Sequence, residues 1–206
     1  TNGDYVGMNK YSPIAIEEQG FYFAAIIIGV ERGWITREEG EKRILITLRS
    51  LAKLERIRGF WYHFIDQDSG KRGWRDSKNV ELSNASTGTM LLGALAASEY
   101  FGGEIESRTQ RMYAEMDWKW FTNPRTKHPY LACYPKDLPS KVPPGITEEG
   151  MFGGWSAYAE HIFLYLLAAG SPNPDYSTGA DSYYAMRTPK GSYKGEEFIF
   201  CGTGSA

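Results

Sequence analysis

The apolar residues of this chain follow two alternating patterns. Residues 14–32 (IAIEEQGFYFAAIIIGVER) are apolar on nearly every side of a helix, whereas 36–57 are amphipathic, with Ile44, Leu48, Leu51 and Leu54 at helical spacing and Arg and Lys between them. Thr36 followed by Glu39 has the spacing of a capping box that starts this second helix. A third helix over 85–101 is again small and apolar. A fourth over 104–121 is amphipathic, with Ile105, Met112, Met116 and Trp120 on one face. A fifth over 156–169 (SAYAEHIFLYLLAA) returns to the all-round apolar type. Gly170 suits its C′ position, and Pro172 prevents its continuation. Between the helices, residues 59–74 alternate aromatic and polar side chains and turn at Asp68, Ser69 and Gly70, which predicts a short hairpin. Residues 122–154 read as a long Pro/Gly-rich loop with short strands, and 173–206 as loop and strand.

A helix that is apolar all round must be covered on every side, while an amphipathic one can face water. Alternating the two predicts a fold of two helical layers, buried helices inside and amphipathic ones outside. The buried helices begin near residues 14, 86 and 156, so they recur about every 70 residues, a spacing that suggests a toroid or solenoid of helical hairpins. Successive inner helices in such an arrangement run parallel, so their N-termini gather at one end. Glu17 and Glu18, the segment from Glu81 to Ser86, and the segment from Trp155 to Glu160 would meet there. Glu160 is the unusual residue of this set, a carboxylate among Trp155, Tyr158 and Phe163. It reads either as a pocket acid or as an acidic partner of a helix N-terminus. Glu17 and Glu18 read more simply as partners of the helix dipole.

Composition narrows the function. The 206 residues carry a net charge of -2 with both signs interspersed, so no basic stripe for nucleic acid and no polybasic run for anionic lipid is present. Aromatic residues make up 15%, enough both to fill a core and to line a groove where flat sugar or base faces stack. Cys133 and Cys201 have no CxxC partners, and His63, His128 and His161 are scattered, so no metal site is expected. His161 reads as a packed or capping histidine. Ser156 sits in GWSAY, not GxSxG, and neither GKRGW nor GTGSA has the setting of a phosphate loop. The apolar run AAIIIGV is too short to span a bilayer, and the first residues lack a signal-peptide pattern.

Four blocks carry a resemblance: GFYFAAIIIGVERGWIT (20–36), GFWYHFIDQDSGKR (59–72), VELSNASTGTMLLGALAASEYF (80–101) and WSAYAEHIFLYLLAAGSP (155–172). In this order they resemble the bacterial glucoamylase-like proteins, which include the endo-β-1,2-glucanases of glycoside hydrolase family 144. The resemblance implies an all-α fold, part of an (α/α)6 toroid built from helical hairpins, with short β-hairpins in the loops. It implies an inverting hydrolase of a β-glucan with no cofactor and no metal, an oligo- or polysaccharide as partner, and a periplasmic or secreted location. A complete toroid at this spacing needs roughly 400 residues, so residues 1–206 are expected to be the N-terminal half of a longer domain. One departure stands out. Where the family pattern has an Asp-Thr pair, this chain has Ser86-Thr87. That replacement bears on substrate and activity, and the alternative it raises is a non-catalytic carbohydrate-binding relative.

Glycoside hydrolysis by inversion takes one protonated and one ionised carboxyl about 6.5–9.5 Å apart. Carried over by position, Glu160 is the expected acid. Burial among aromatic rings would raise its pKa, and a helix N-terminus would lower it. Glu81 is the expected base, ahead of Asp76 and Asp66, unless the base lies beyond residue 206. Trp155 and Tyr158, Ser83 and Ser86 would line the substrate site. Trp61, Tyr62 and Trp74 could stack on sugar rings, with hairpin packing as the plainer role of Trp61 and Tyr62. His63 and Arg75 could hydrogen-bond hydroxyls, with a surface charge as the plainer role of Arg75.

Overall fold

A computed structural model describes residues 13–74, 79–136 and 145–200. Arg75, Asp76 and Cys201, singled out from the sequence, lie outside these residues. The described chain is helix-rich with short strands, so the all-α expectation is met only roughly. A two-residue strand β1 (Ile14–Ala15) leads into α1 (Ile16–Glu31), and α2 (Arg37–Leu51) returns antiparallel to it. Thr36 caps α2, its Oγ1 accepting from Glu39 N at 3.1 Å. Ile44, Leu48 and Leu51 then bury one face, as the spacing predicts.

The amphipathic pattern does not continue as helix to residue 57. Strand β2 (Arg56–Ile57) instead pairs with β3 (Phe60–Trp61) around Arg58 and Gly59. Both turn residues have positive φ, as a two-residue hairpin turn of the primed type requires. The turn expected at 68–70 follows, closed by a bridge between Ile65 and Arg72. Strand β4 (Phe64–Ile65) pairs with β1, and the chain turns at residues 66–70, where Asp66 Oδ1 accepts from Ser69 N and Oγ.

Strand β5 (Leu82–Ser83) feeds α3 (Asn84–Phe101), and α4 (Gly103–Ala114) packs back on it. Helix α3 is buried on nearly all sides, as expected for an inner helix, and Ser83 Oγ caps it by accepting from Ser86 N. Helix α1 packs on α3, α2 packs on α1, and α2 also meets α4, so two helical hairpins lie side by side in two layers. The α1–α3 contact is made by glycine. A Cβ built on Gly20 would stand 2.2 Å from the carbonyl oxygen of Thr89, and one on Gly93 would stand 2.2 Å from that of Gly20. The two backbones therefore touch, an approach that side chains larger than hydrogen would block. Helix α1 is not covered all round, however: it buries Phe23 and Ile26 but exposes Phe21 and Ile28.

Helix α4 ends at Ala114, short of the expected residue 121. Asp117 then binds the hairpin turn, accepting from Arg58 Nη1 at 2.8 Å. Strands β6 (Ala132–Cys133) and β7 (Met151–Phe152) add to β5 in an antiparallel sheet of order β5–β6–β7. The fifth helix, α5 (Ile162–Ala169), starts six residues later than residue 156 predicts. Its expected first turn is a bridge followed by a bend and a turn instead, because Ala157 bridges Arg187 and Tyr158 N donates to Arg187 O. Gly170 follows α5 with φ -87°, not the left-handed cap its position suggests. A short helix α6 (Asp181–Ala185) and an exposed hairpin, β8 (Lys190–Tyr193) with β9 (Glu196–Ile199), complete the described chain. No helix among the described residues is long and apolar enough to cross a membrane.

Candidate active site at the helix N-termini

Backbone hydrogen bonds bring three segments together at one end of α1 and α3. Ile16 N, at the start of α1, donates to His63 O, and His63 N donates to Glu81 O just before β5. His63 is thus held between the residues that open the two inner helices. Its side chain bridges two carboxylates. Nδ1 lies 2.8 Å from Glu81 Oε1, and Nε2 lies 3.2 Å from Glu17 Oε1.

The charges follow from this geometry. Burial disfavours the imidazolium. The hydrogen bonds from His63 to Glu17 and Glu81, and the charges of both carboxylates, outweigh that and raise the pKa of His63 to about 9. Both ring nitrogens then donate at neutral pH. Burial also pushes the Glu17 carboxyl up. The His63 bond, its own backbone N–H, the Ser86 hydroxyl and the His63 charge together hold it below the usual carboxylate range. Two carboxylates and one imidazolium leave the group with one net negative charge.

Raised folded-state pKa values stabilise the protonated side of a titration. The contribution of His63 is therefore complete below its unfolded pKa, roughly 6.5, and is lost as pH rises through about 9. Thermal unfolding is expected to show Tm falling between pH 7 and 9, with the fall reduced in His63→Gln. An equal fall in that variant would show that another group titrates.

Aromatic rings extend from this group to the surface. Phe64 stacks on His63 at 4.1 Å and 13°, and Trp74 packs on Phe64 at 4.4 Å. Trp74 is 41% exposed. Trp61 and Tyr62 are not exposed. Both are buried, and both are held by internal bonds: Trp61 Nε1 donates to Leu51 O, and Tyr62 Oη accepts from Arg72. The expectation that they stack on sugar rings is corrected, and hairpin packing is their role. Ser83 and Ser86 are buried at the start of α3, with the Ser83 hydroxyl engaged as the helix cap.

The segment carrying Glu160 leaves β7 and is tied to the same helix end. Trp155 Nε1 donates to Asn84 Oδ1 at 3.2 Å, and Asn84 Nδ2 donates to Tyr130 O at 2.7 Å. Behind Trp155, the Tyr165 hydroxyl donates to its carbonyl and accepts from His128 Nδ1. Burial and the Arg187 charge keep the pKa of His128 low, which suits a neutral ring with its proton on Nδ1. His161 packs against Trp155 and donates to Ala157 O, as a packed histidine should. Glu160 itself lies exposed in the turn before α5, and Tyr158 is also exposed. The buried, aromatic-walled setting expected for Glu160 is therefore absent from the described chain, because its segment is a turn and not the first turn of a helix.

Two residues of this end were undervalued in the sequence. Glu17 read only as a helix-dipole partner, and Tyr134 drew no notice. Burial raises the Tyr134 pKa, and the Glu81 charge raises it further.

In sequence and fold, the chain is similar to proteins named as β-1,2-glucan hydrolases. It is 30% identical over 179 residues to an exo-β-1,2-glucooligosaccharide sophorohydrolase (non-reducing end) of Parabacteroides distasonis, a match that takes in 84% of this chain and 23% of the relative. Its fold matches an endo-β-1,2-glucanase from Chitinophaga pinensis, a complex with sophorotriose and glucose, with a TM-score of 0.74 and 23% identity. That match covers 94% of this chain and 46% of the other. A β-1,2-glucanase from Parabacteroides distasonis matches with a TM-score of 0.70 and 25% identity, over 85% of this chain and 25% of the other. The chain thus spans between about a quarter and a half of these relatives. No protein-family model matches it. The resemblance read from the four sequence blocks is borne out.

Proposed function

We propose that this chain forms one half of an (α/α)6 toroid, the N-terminal one, in a glycoside hydrolase that cleaves a β-1,2-linked glucan by inversion. The observation that carries this reading is the Glu17–His63–Glu81 group at the shared end of α1 and α3, in a chain similar to proteins named as β-1,2-glucan hydrolases. The apolar side chains left exposed on the inner helices, Phe21 and Ile28 on α1 and Leu92 on α3, suit a partial ring whose other hairpins lie elsewhere in the protein.

In this reading the glycan crosses the helix N-termini, with a sugar ring on Trp74 and others near Trp155 and Tyr158. Glu81 activates water, and Glu160 protonates the leaving oxygen. Further hairpins would enclose Glu160 and supply the dry surroundings that a general acid needs.

Reducing-sugar release from a panel of β-1,2-, β-1,3- and β-1,4-glucans by the full-length protein tests the proposal. Release from the β-1,2 polymer above the others is expected. Binding of that polymer without any release would identify a non-catalytic carbohydrate-binding relative instead, the reading that Ser86 favours.

A further inference from the structure

We propose that the outer helices carry a second binding site, an arginine-lined cleft between α2 and α4 that takes a phosphate group. The cleft has a volume of about 240 Å³, and Arg56, Arg108 and Arg111 line it. None of its residues belongs to the Glu17–His63–Glu81 group.

The sequence builds this cleft from two elements. Arg108, Arg111, Met112 and Glu115 stand at helical spacing and so share one face of α4 and its cap. Met112 and Leu48 of α2 are almost wholly buried and give the cleft an apolar floor. Arg56 enters from β2, whose register places it opposite Trp61. Its guanidinium lies over the Trp61 ring, 5.1 Å from the centroid.

Ion pairs hold two of the three guanidinium groups in place. Arg56 Nη2 donates to Glu115 Oε2 at 2.8 Å, and Arg108 Nε donates to Glu104 Oε1 at 2.6 Å. The Arg108 bond is made through Nε, so both its Nη groups keep their donors for a ligand. Arg111 makes no side-chain hydrogen bond or ion pair among the described residues. Glu115 is the one carboxylate that lines the cleft, against three guanidinium groups. Glu104 does not redress the balance, because Arg49 shares it. The C-termini of α2 and α4 offset roughly half a charge each, and a positive surplus remains.

This surplus names the ligand. A neutral sugar has no use for it. A planar carboxylate is satisfied by the fork of one arginine, whereas a phosphate offers several oxygens to guanidinium groups that come from different directions. A phosphate monoester also brings nearly two negative charges at neutral pH. The apolar floor suits the organic body of an ester better than a free ion.

Isothermal titration of the full-length protein at low ionic strength tests this, with inorganic phosphate and phenyl phosphate as probes and phenol as the neutral control. Saturable binding of the phosphates and none of phenol is expected. Tighter binding of phenyl phosphate would assign the site to a phosphate ester, and equal affinities would assign it to the free ion. Arg111→Ala and Arg108→Gln should each weaken binding about tenfold or more. Arg111 is exposed and unpaired, so its removal should leave Tm in place. In the wild type, phosphate should also shift the NMR signals of the Arg56, Arg108 and Arg111 guanidinium groups, a readout that needs no variant. Absence of saturable binding by either phosphate would overturn the proposal. So would binding that Arg111→Ala leaves unchanged, or arginine signals that phosphate does not move.

Discussion

Gly93→Ala is expected to unfold the protein or leave it barely stable. The added methyl would stand 2.2 Å from the carbonyl oxygen of Gly20, 2.6 Å from its Cα and 2.7 Å from its carbonyl carbon. All three are backbone atoms of α1, so no rotamer change can relieve the clash and the two inner helices must separate. Overpacking a core costs roughly 1–3 kcal/mol when side chains can yield. Here they cannot, and the cost should lie above that range, against a total stability of about 5–15 kcal/mol. Separation would also pull apart the segments that place Glu17, His63 and Glu81. Gly29→Ala is the matched control. That glycine is also buried in α1, but its added Cβ would meet only side-chain carbons of Ile35 at 3.5 and 3.6 Å, ordinary contact distances. Alanine is favoured over glycine in a helix by about 1 kcal/mol, so Gly29→Ala should hold or raise Tm. Thermal unfolding followed by circular dichroism checks the pair. Equal Tm values for the two variants would show that the helices do not touch.

The second large effect concerns the two proposed carboxyls. Glu160→Gln and Glu81→Gln keep the shape of each side chain and remove its ionisation. General acid or base catalysis contributes about 10²–10⁴-fold, so kcat should fall by that factor in each variant while the fold survives. The surroundings of the two residues explain why neither change should unfold the chain. Glu160 is exposed, and glutamine at 81 can still accept from His63 through its amide oxygen. The two variants should differ in one respect. Losing the Glu81 charge removes part of what holds His63 protonated, so Glu81→Gln should also lower the pH at which His63 titrates. Glu160→Gln should leave it in place.

Much of the fold was legible because helical periodicity survives in a single sequence. Ile44, Leu48 and Leu51 mark the buried face of α2, and Thr36 with Glu39 marks its start, both as observed. The small, all-round apolar run of α3 announced an inner helix, and α3 is one. The failures have physical causes. Ser156 to Glu160 has helical composition, but pairing with Arg187 overrides that local preference. Trp61 ends a strand two residues long and Tyr62 makes an isolated bridge to Leu82, so alternation is too brief to reveal which face is covered. Glu17 and His63 are 46 residues apart, and His63 and Glu81 are 18 apart. Only tertiary pairing of β1 with β4, and of Tyr62 with Leu82, brings them together. A glutamate in a first turn carries no local sign that a histidine from another segment will bind it.

The most direct test of the account is the initial rate of reducing-end release from β-1,2-glucan by the full-length protein and its Glu81→Gln variant, measured side by side at one pH. The account gives a wild type that cleaves this polymer and a folded variant slower by at least about 10²-fold. A folded Glu81→Gln variant that matches the wild-type rate would contradict it, because the carboxylate at the centre of the proposed site would then have no part in the reaction.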